Sequence, residues 1–371
     1  MHPAASSTSA RRTPLVAALV VTVLCAAWMA LVLTSSRGAP SVPDDQTIVF
    51  GDRPSPAEMW ISKVDGVHFA QLAQDPLYRN TVHNFRGDAP RASYRALRPI
   101  QGWVEWAASI GGRPNLLAPA IIALTVLTIG LLPVAVSALA SALDRHTLNP
   151  VLVLGTPGVI ANLWAPGMSE PLAALLALVG SAAWLRDHRR LGVVLFCVAA
   201  LTKETSLAVP AGLALAEMVM TRRLRRSLPL LLAPASYVAW STFVSIRVGP
   251  VVTDEAAVTG WQPLVGLIDA VPHWSAADAV AVLAIAVSAV VIVRLREPVL
   301  TGMVMTHMAM FFCMGSVVWM NWWGFGRAAL PLTLIALVGG HRRTEGASVE
   351  SLDEASNEDP GEISEPAPAA V

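Results

Sequence analysis

Asp65 and Gly66 open the segment D-G-V-H-F-A-Q-L-A-Q-D-P, and a carboxylate held there could take a proton from an attacking hydroxyl. The same aspartate suits a helix N-cap, its oxygens accepting backbone N–H groups, and spacing alone leaves both roles open. Arg86, Arg91, Arg95 and Arg98 follow, and the planar arginine fork pairs bidentately with phosphate oxygens. If helical, Arg95 and Arg98 share one face. A solvated basic face, or a helix lying on lipid headgroups with Trp103 and Trp106 at the interface, fits the same pattern. G-M-S-E-P-L sets Glu170 at a helix start, where its charge complements the helix dipole. L-T-K-E-T sets Lys203 and Glu204 between two short apolar runs. An ionisable pair at membrane depth is costly and marks a functional site by default, unless it is a self-neutralising structural pair. N-W-W-G-F-G-R ends in Arg327, with aromatics that serve equally well as an interfacial belt. His307, inside an apolar run, reads as a packed, hydrogen-bonded histidine rather than a ligand.

The chain that must position these groups has 371 residues, 54% hydrophobic and 14% charged. Soluble domains carry about 25% charged residues, so the composition is that of a membrane protein. The zero net charge says nothing of partners, because the charges are segregated by position. Cys25, Cys197 and Cys313 all lie in apolar runs and read as small packing residues, not as a disulfide or metal set. Leu15–Leu33 has the length of about 20 residues that a transmembrane helix needs. Arg11-Arg12 before it hints at a cleaved twin-Arg signal. A retained anchor is expected instead, since a signal's apolar core is only about 7–15 residues. Further apolar runs fall near 116–141, 149–165, 170–185, 191–203, 206–220, 228–246, 277–293, 298–319 and 328–340. Several are short or broken by Pro and Gly, which membranes tolerate only where protein or a watery cavity satisfies the freed backbone.

Ten spans with a cytoplasmic amino terminus place fourteen arginines on the inner side, from Arg11 and Arg12 to Arg342 and Arg343. The short outer loops then hold or border only Lys203, Arg247 and Arg327. The expected fold class is therefore all-α: a polytopic membrane protein of about ten transmembrane helices with a large extracytoplasmic first loop. Its segments are a cytoplasmic amino terminus (1–13), a first span (14–34), the outer loop with surface helices (35–115) and a helix bundle (116–341). A disordered acidic cytoplasmic tail (342–371) ends it. Between residues 51 and 115 the loop mixes eight Lys/Arg and six Asp/Glu with Trp, Tyr and Phe, which predicts a folded loop rather than a solvated linker. No internal repeat, phosphate-cradling glycine loop, nucleic-acid-binding pattern or zinc spacing is present. Asp65, the Arg86–Arg98 cluster, Glu170, Lys203, Glu204 and Arg327 all fall on the outer side. A transporter or lipid flippase, or a non-catalytic subunit of an envelope-synthesis complex, is the alternative to an enzyme.

Five motifs carry a resemblance: D-G-V-H-F-A-Q-L-A-Q-D-P, Y-R-A-L-R-P-I-Q-G-W, G-M-S-E-P-L, L-T-K-E-T and F-G-R-A-A-L-P-L, in that order over roughly residues 60–335. The chain resembles the GT-C superfamily of integral-membrane glycosyltransferases, most of all bacterial cell-surface glycopolymer or mannosyltransferase-like members. The resemblance implies that Asp65 is the catalytic base. An acceptor hydroxyl would attack the anomeric carbon of a polyprenyl-phosphate-linked sugar, mannose being one candidate, and displace the phosphate with inversion. It makes Arg91, Arg95, Arg98, Lys203 and Arg327 candidates for the donor phosphate, with His68, Glu170 and Glu204 shaping the site. His68 and Phe69 stand where relatives often carry Tyr. The acceptor would be an envelope glycan, lipid or protein at the plasma (inner) membrane. No cofactor, no metal cage and no nucleic-acid partner is implied.

Overall fold

A computed structural model describes residues 7–35, 50, 54–79, 94–249 and 263–340, with side chains from residue 13 onward. The calls on Arg86, Arg91 and the acidic tail lie outside these residues. The described chain is helical, with no strand among those residues. Helix α1 (Ser7–Ser35) is followed by α2 (Pro56–Ile61), α3 (Gly66–Gln74), α4 (Pro99–Ala108) and α5 (Pro114–Ala142). A 3-10 turn at Pro150–Gly155 leads into α6 (Pro157–Trp164), α7 (Glu170–Leu185) and α8 (Arg189–Thr202). A second 3-10 turn, Glu204–Leu207, joins α8 to α9 (Ala208–Thr221). Then come α10 (Leu224–Ser227), a 3-10 turn at Leu228–Leu231, α11 (Leu232–Arg247) and α12 (Val265–Ala270). Finally α13 (Ala276–Arg294), α14 (Pro298–Phe312), α15 (Ser316–Trp319), α16 (Trp322–Ala328) and α17 (Leu330–Ala336) complete the described fold.

Among the described residues four stretches are long and apolar enough to cross a membrane: Thr13–Ser35, Pro114–Ala142, Leu224–Arg247 and Ala276–Arg294. Proline starts α2, α4, α5, α6 and α14, where its fixed φ suits the first turn and its missing N–H costs nothing. The same chemistry breaks several expected spans. Residues 149–165 form no single helix, because Pro157 ends the 3-10 turn and begins α6. The run 298–319 stops at Phe312 and resumes at Ser316, after Gly315. The last run, 328–340, is helical at Leu330–Ala336, with Ala328 closing the preceding helix α16. The pair at 191–220 is two helices of 14 residues each. At 1.5 Å per residue each spans only about 21 Å, short of a hydrocarbon thickness of ~30 Å.

The loop helices also depart from expectation, for they pack into the body rather than lie on a surface. Val67, Ala70 and Ala73 of α3 meet Leu117, Ala118 and Ile121 of α5. Phe69 and Leu72, from the other flank of α3, join Tyr78, Leu97 and Val244. Trp103 donates to the Pro76 carbonyl and meets Trp240 edge-on, so it is a packing residue, while Trp106 is exposed. The main core runs from Val21 and Cys25 of α1 through α5, α7 and α8 to α17. Cys25 packs there as expected, whereas Cys313 is exposed.

Candidate functional site

Asp65 sits at the N-cap position of α3, yet its side chain makes no capping bond. One carboxylate oxygen lies 2.9 Å from Arg95 Nη2 and the other 3.8 Å from Arg327 Nη1. The ion pairs, not the helix end, decide this side chain's position. Gly66 makes the approach possible: a Cβ there would stand 2.6 Å from the Ile61 carbonyl and 2.7 Å from that of Pro166. Across the contact Gly167 has φ +86°, and its Cβ would meet Gly66 Cα at 3.1 Å. Two glycine backbones in contact thus bring the D-G motif against G-M-S-E-P, and Thr125 Oγ1 fixes the turn by accepting from Gly167 N at 3.1 Å.

Glu170 therefore starts α7 beside Asp65's partners, as a helix-start residue but also as an ion pair. Its Oε1 is 3.2 Å from Lys203 Nζ and 3.8 Å from Arg327 Nη1. Lys203 is the extended residue between α8 and the following 3-10 turn, so that turn points it toward Glu170. On the next residue, Glu204 takes both prongs of Arg98: Nη2 donates to Oε1 at 2.6 Å and Nε to Oε2 at 2.8 Å. Arg327 is held by bonds to the Trp323 carbonyl and the Met168 sulfur, with its guanidinium 5.0 Å from the Trp323 ring.

Seven of the residues singled out by type and spacing thus meet in one cluster: Asp65, Arg95, Arg98, Glu170, Lys203, Glu204 and Arg327. Two sequence expectations change. Arg95 and Arg98 do not share a helix face, because Arg98 is non-helical at the start of α4 and the two guanidiniums serve different carboxylates. Nor is this a solvated basic face, since the Arg98 side chain is only 1% exposed. Its fork is occupied by Glu204, so Arg98 is an anchor for the Glu204 turn rather than a free phosphate ligand. His68 lies half-buried along α3, with Nδ1 3.4 Å from Gln71 Oε1. His307 packs as expected, Nδ1 meeting the Met303 carbonyl at 3.0 Å.

Electrostatics at the cluster are lopsided. Among the described residues three carboxylates face four cationic groups, an excess of one positive charge. Burial pushes the Asp65 carboxyl up, but Arg95, Arg327, Lys203 and Arg98 outweigh it and hold the group far below the usual carboxylate range. Five buried polar atoms on these residues or their chain neighbours have no partner among the described residues: Arg95 Nε and Nη1, Ser169 Oγ, Glu170 Oε2 and Ser206 Oγ. Buried donors and acceptors are ordinarily paired, so this concentration suits a polar ligand.

Sequence reasoning missed several contributors. Tyr94 donates its ring face to Arg98, 4.5 Å from the guanidinium, and its hydroxyl accepts from Arg98 Nη2. Trp164 and Trp323 lie 5.9 Å apart, with Lys63 Nζ 5.5 Å from the Trp164 ring. Tyr94 and Met168 stood inside motifs already quoted, but a phenol or thioether has no spacing signature. Glu105 is fully buried on α4 and accepts from Gln101 Nε2 at 2.7 Å. Burial pushes its carboxyl well above the ordinary range, and the Gln101 bond only partly opposes this. Among the described residues no group of three or more His, Cys, Asp or Glu is placed to hold a metal ion. Comparison with protein-family models, with curated proteins and with solved structures found no match.

Proposed function

We propose that the chain is an integral-membrane glycosyltransferase of GT-C type that moves a sugar from a polyprenyl-phosphate donor to an envelope acceptor on the outer face of the membrane. The observation that carries this reading is the buried charge cluster around Asp65 with its single excess positive charge. A sugar phosphodiester brings one negative charge and would complete the balance, whereas a diphosphate-linked sugar would overshoot it. Arg95 has two buried N–H-bearing nitrogens without partners among the described residues, and Arg327 and Lys203 reach the carboxylates at 3.2–3.8 Å, distances a competing phosphate could exploit.

In the reaction the acceptor oxygen forms a bond to the anomeric carbon from the face opposite the phosphate. The bond from that carbon to the phosphate oxygen breaks, its electron pair leaves with the polyprenyl phosphate, and the acceptor proton passes to an Asp65 oxygen. Arg95, Arg327 and Lys203 meet the charge that builds on the leaving phosphate. With no donor the Arg95 ion pair makes Asp65 a poor base. A phosphate that takes over Arg95 and Arg327 relaxes that hold and raises the basicity of Asp65 when it is needed.

Ten crossings, with both termini in the cytoplasm, complete the reading. It is supported by which residues meet. The groups assigned to outer ends come from the first loop, the start of α7, the Lys203 turn and α16, and they gather in one cluster. Arg145, assigned to the inner side, donates to the Gly340 and Leu295 carbonyls and lies 3.6 Å from Glu297, all assigned there too.

The test uses purified protein in lipid, a panel of radiolabelled polyprenyl-phosphate sugars and envelope extract, with Asp65→Asn as the comparison. Transfer by wild type and a fall of at least 100-fold in Asp65→Asn, with donor binding retained, is the expected result. Equal transfer by both proteins would remove Asp65 from the chemistry. Donor binding without transfer by either would favour a carrier or scaffold.

A further inference from the structure

A second charged feature lies away from this cluster, where α9 ends. Arg222 caps that helix in the left-handed region, φ 53°, and the chain turns through Arg223 into α10. Ala211, Ala214, Leu215 and Met218 on α9 face Leu224, Ser227, Leu228 and Leu231. Both sets follow the i, i+3, i+4, i+7 spacing of one helix face. Between them runs an apolar groove of about 250 Å³. Arg222, Arg223, Arg225 and Arg226 crowd the turn at its end, and all four are exposed. None has a carboxylate partner among the described residues. Glu217, the acid of α9, is already engaged: it accepts from Trp184 Nε1 at 3.3 Å and lies 3.7 Å from Arg189.

We propose that this groove and its arginine turn form a binding site for one anionic phospholipid. An acyl chain lies along the α9–α10 groove and the phosphate sits among the four arginines. Charge complementarity selects the occupant. A zwitterionic headgroup brings its own cation and so no net charge to the four guanidiniums, while an anionic headgroup brings a net negative charge that they attract. The apolar groove distinguishes a lipid from a free phosphate, which has nothing to place there. This inference stands apart from the glycosyltransferase reading and from the direction in which the chain crosses the membrane.

Native mass spectrometry of the full chain in detergent tests it, titrating phosphatidylglycerol against phosphatidylcholine of matched chains. The expected result is one phosphatidylglycerol retained at least tenfold more tightly than phosphatidylcholine. Arg223→Gln with Arg225→Gln should weaken phosphatidylglycerol about thirty-fold and leave phosphatidylcholine unchanged. Ala211→Trp, which fills the groove from an exposed position, should weaken both lipids. Equal retention of the two lipids by wild type overturns the proposal, as does full retention by the arginine variant. Loss in the arginine variant without loss in Ala211→Trp rejects the groove as the chain's seat. Glycerol phosphate competing as well as the intact lipid would assign the turn to a free phosphate and reject the lipid. Monodisperse elution of each variant confirms that the comparison is made between folded proteins.

Discussion

The pair Arg98–Glu204 should be the strongest energetic link between the loop before α4 and the helix bundle, and a double-mutant cycle can measure it. The Arg98 side chain is 1% exposed and Glu204 is 25% exposed, with both prongs of the fork bonded at 2.6 and 2.8 Å. Removing one partner of a buried pair costs about 3–5 kcal/mol, because the other charge is left without compensation. Two features reduce that figure here. Water reaches Glu204, and in Glu204→Gln the amide oxygen still accepts one bond from Arg98. The expected loss is therefore about 2–3 kcal/mol for Glu204→Gln. Arg98→Met, which leaves the more accessible charge behind, should cost less. The double variant Arg98→Met with Glu204→Gln removes both charges at similar volume and should recover most of the loss, giving a coupling energy of about 2 kcal/mol. Reversible unfolding in mixed micelles, followed by tryptophan fluorescence, reads all four corners of the cycle. A coupling within about 0.5 kcal/mol of zero would refute the reasoning, since that is the additivity expected of independent sites.

Two further outcomes follow from the titrating groups outside the spans. The folded-state pKa of Asp65 is depressed, so its contribution to stability is present above the unfolded value of about 3.9 and is lost as pH falls through the lower folded value. If the proposed reaction holds, kcat/KM should accordingly show no acid limb from Asp65 above about pH 4, while kcat, reporting the donor complex, shows one at higher pH; identical limbs in both profiles would contradict donor-triggered basicity. Glu105 behaves oppositely: its folded pKa is raised, so stability falls as pH climbs from about 4.3 toward the folded value. Glu105→Gln should then be more stable than wild type at pH 7 and lose that advantage below about pH 4.3, as a thermal-unfolding series across pH would show.

Type and spacing made the chemistry legible where the residues are scarce. In an apolar chain, Asp65, Glu170, Lys203, Glu204 and Arg327 stand out because ionisable groups near a membrane need a reason, and all five meet in the cluster. What spacing could not show was pairing. Helical periodicity suggested that Arg95 and Arg98 act together, but Pro99 starts a new helix, its preceding residue is pushed out of the helical region, and the two arginines part. Hydropathy located apolar runs but not their interruptions. Proline can open a helix or break one, and only packing decides between Pro133 inside α5 and Pro157 at the head of α6. The loop's burial was hidden for a related reason. Its polar and aromatic mixture indicated folding, but Val67, Phe69 and Leu72 reveal their partners on α5 and α11 only in three dimensions.

The broken helices and the charge cluster are connected by a single physical requirement. An unbroken 30 Å helix carries its ends past the hydrocarbon, and ionisable residues there face water and bulk salt. Helices α8 and α9, at 14 residues each, are too short for that and leave Lys203 and Glu204 at a junction roofed by the packed loop. α6 and α16 do the same for Met168 and Arg327, with Gly158 allowing the two short helices to touch: a Cβ there would stand 2.8 Å from the Gly326 carbonyl. Short helices lower the cluster into protein, and the loop supplies Asp65, Arg95 and Arg98 as its cover. The arrangement strengthens the charge interactions at its buried members by excluding water, and among the described residues it leaves one positive charge uncompensated, which is the charge the proposed phosphodiester donor would meet.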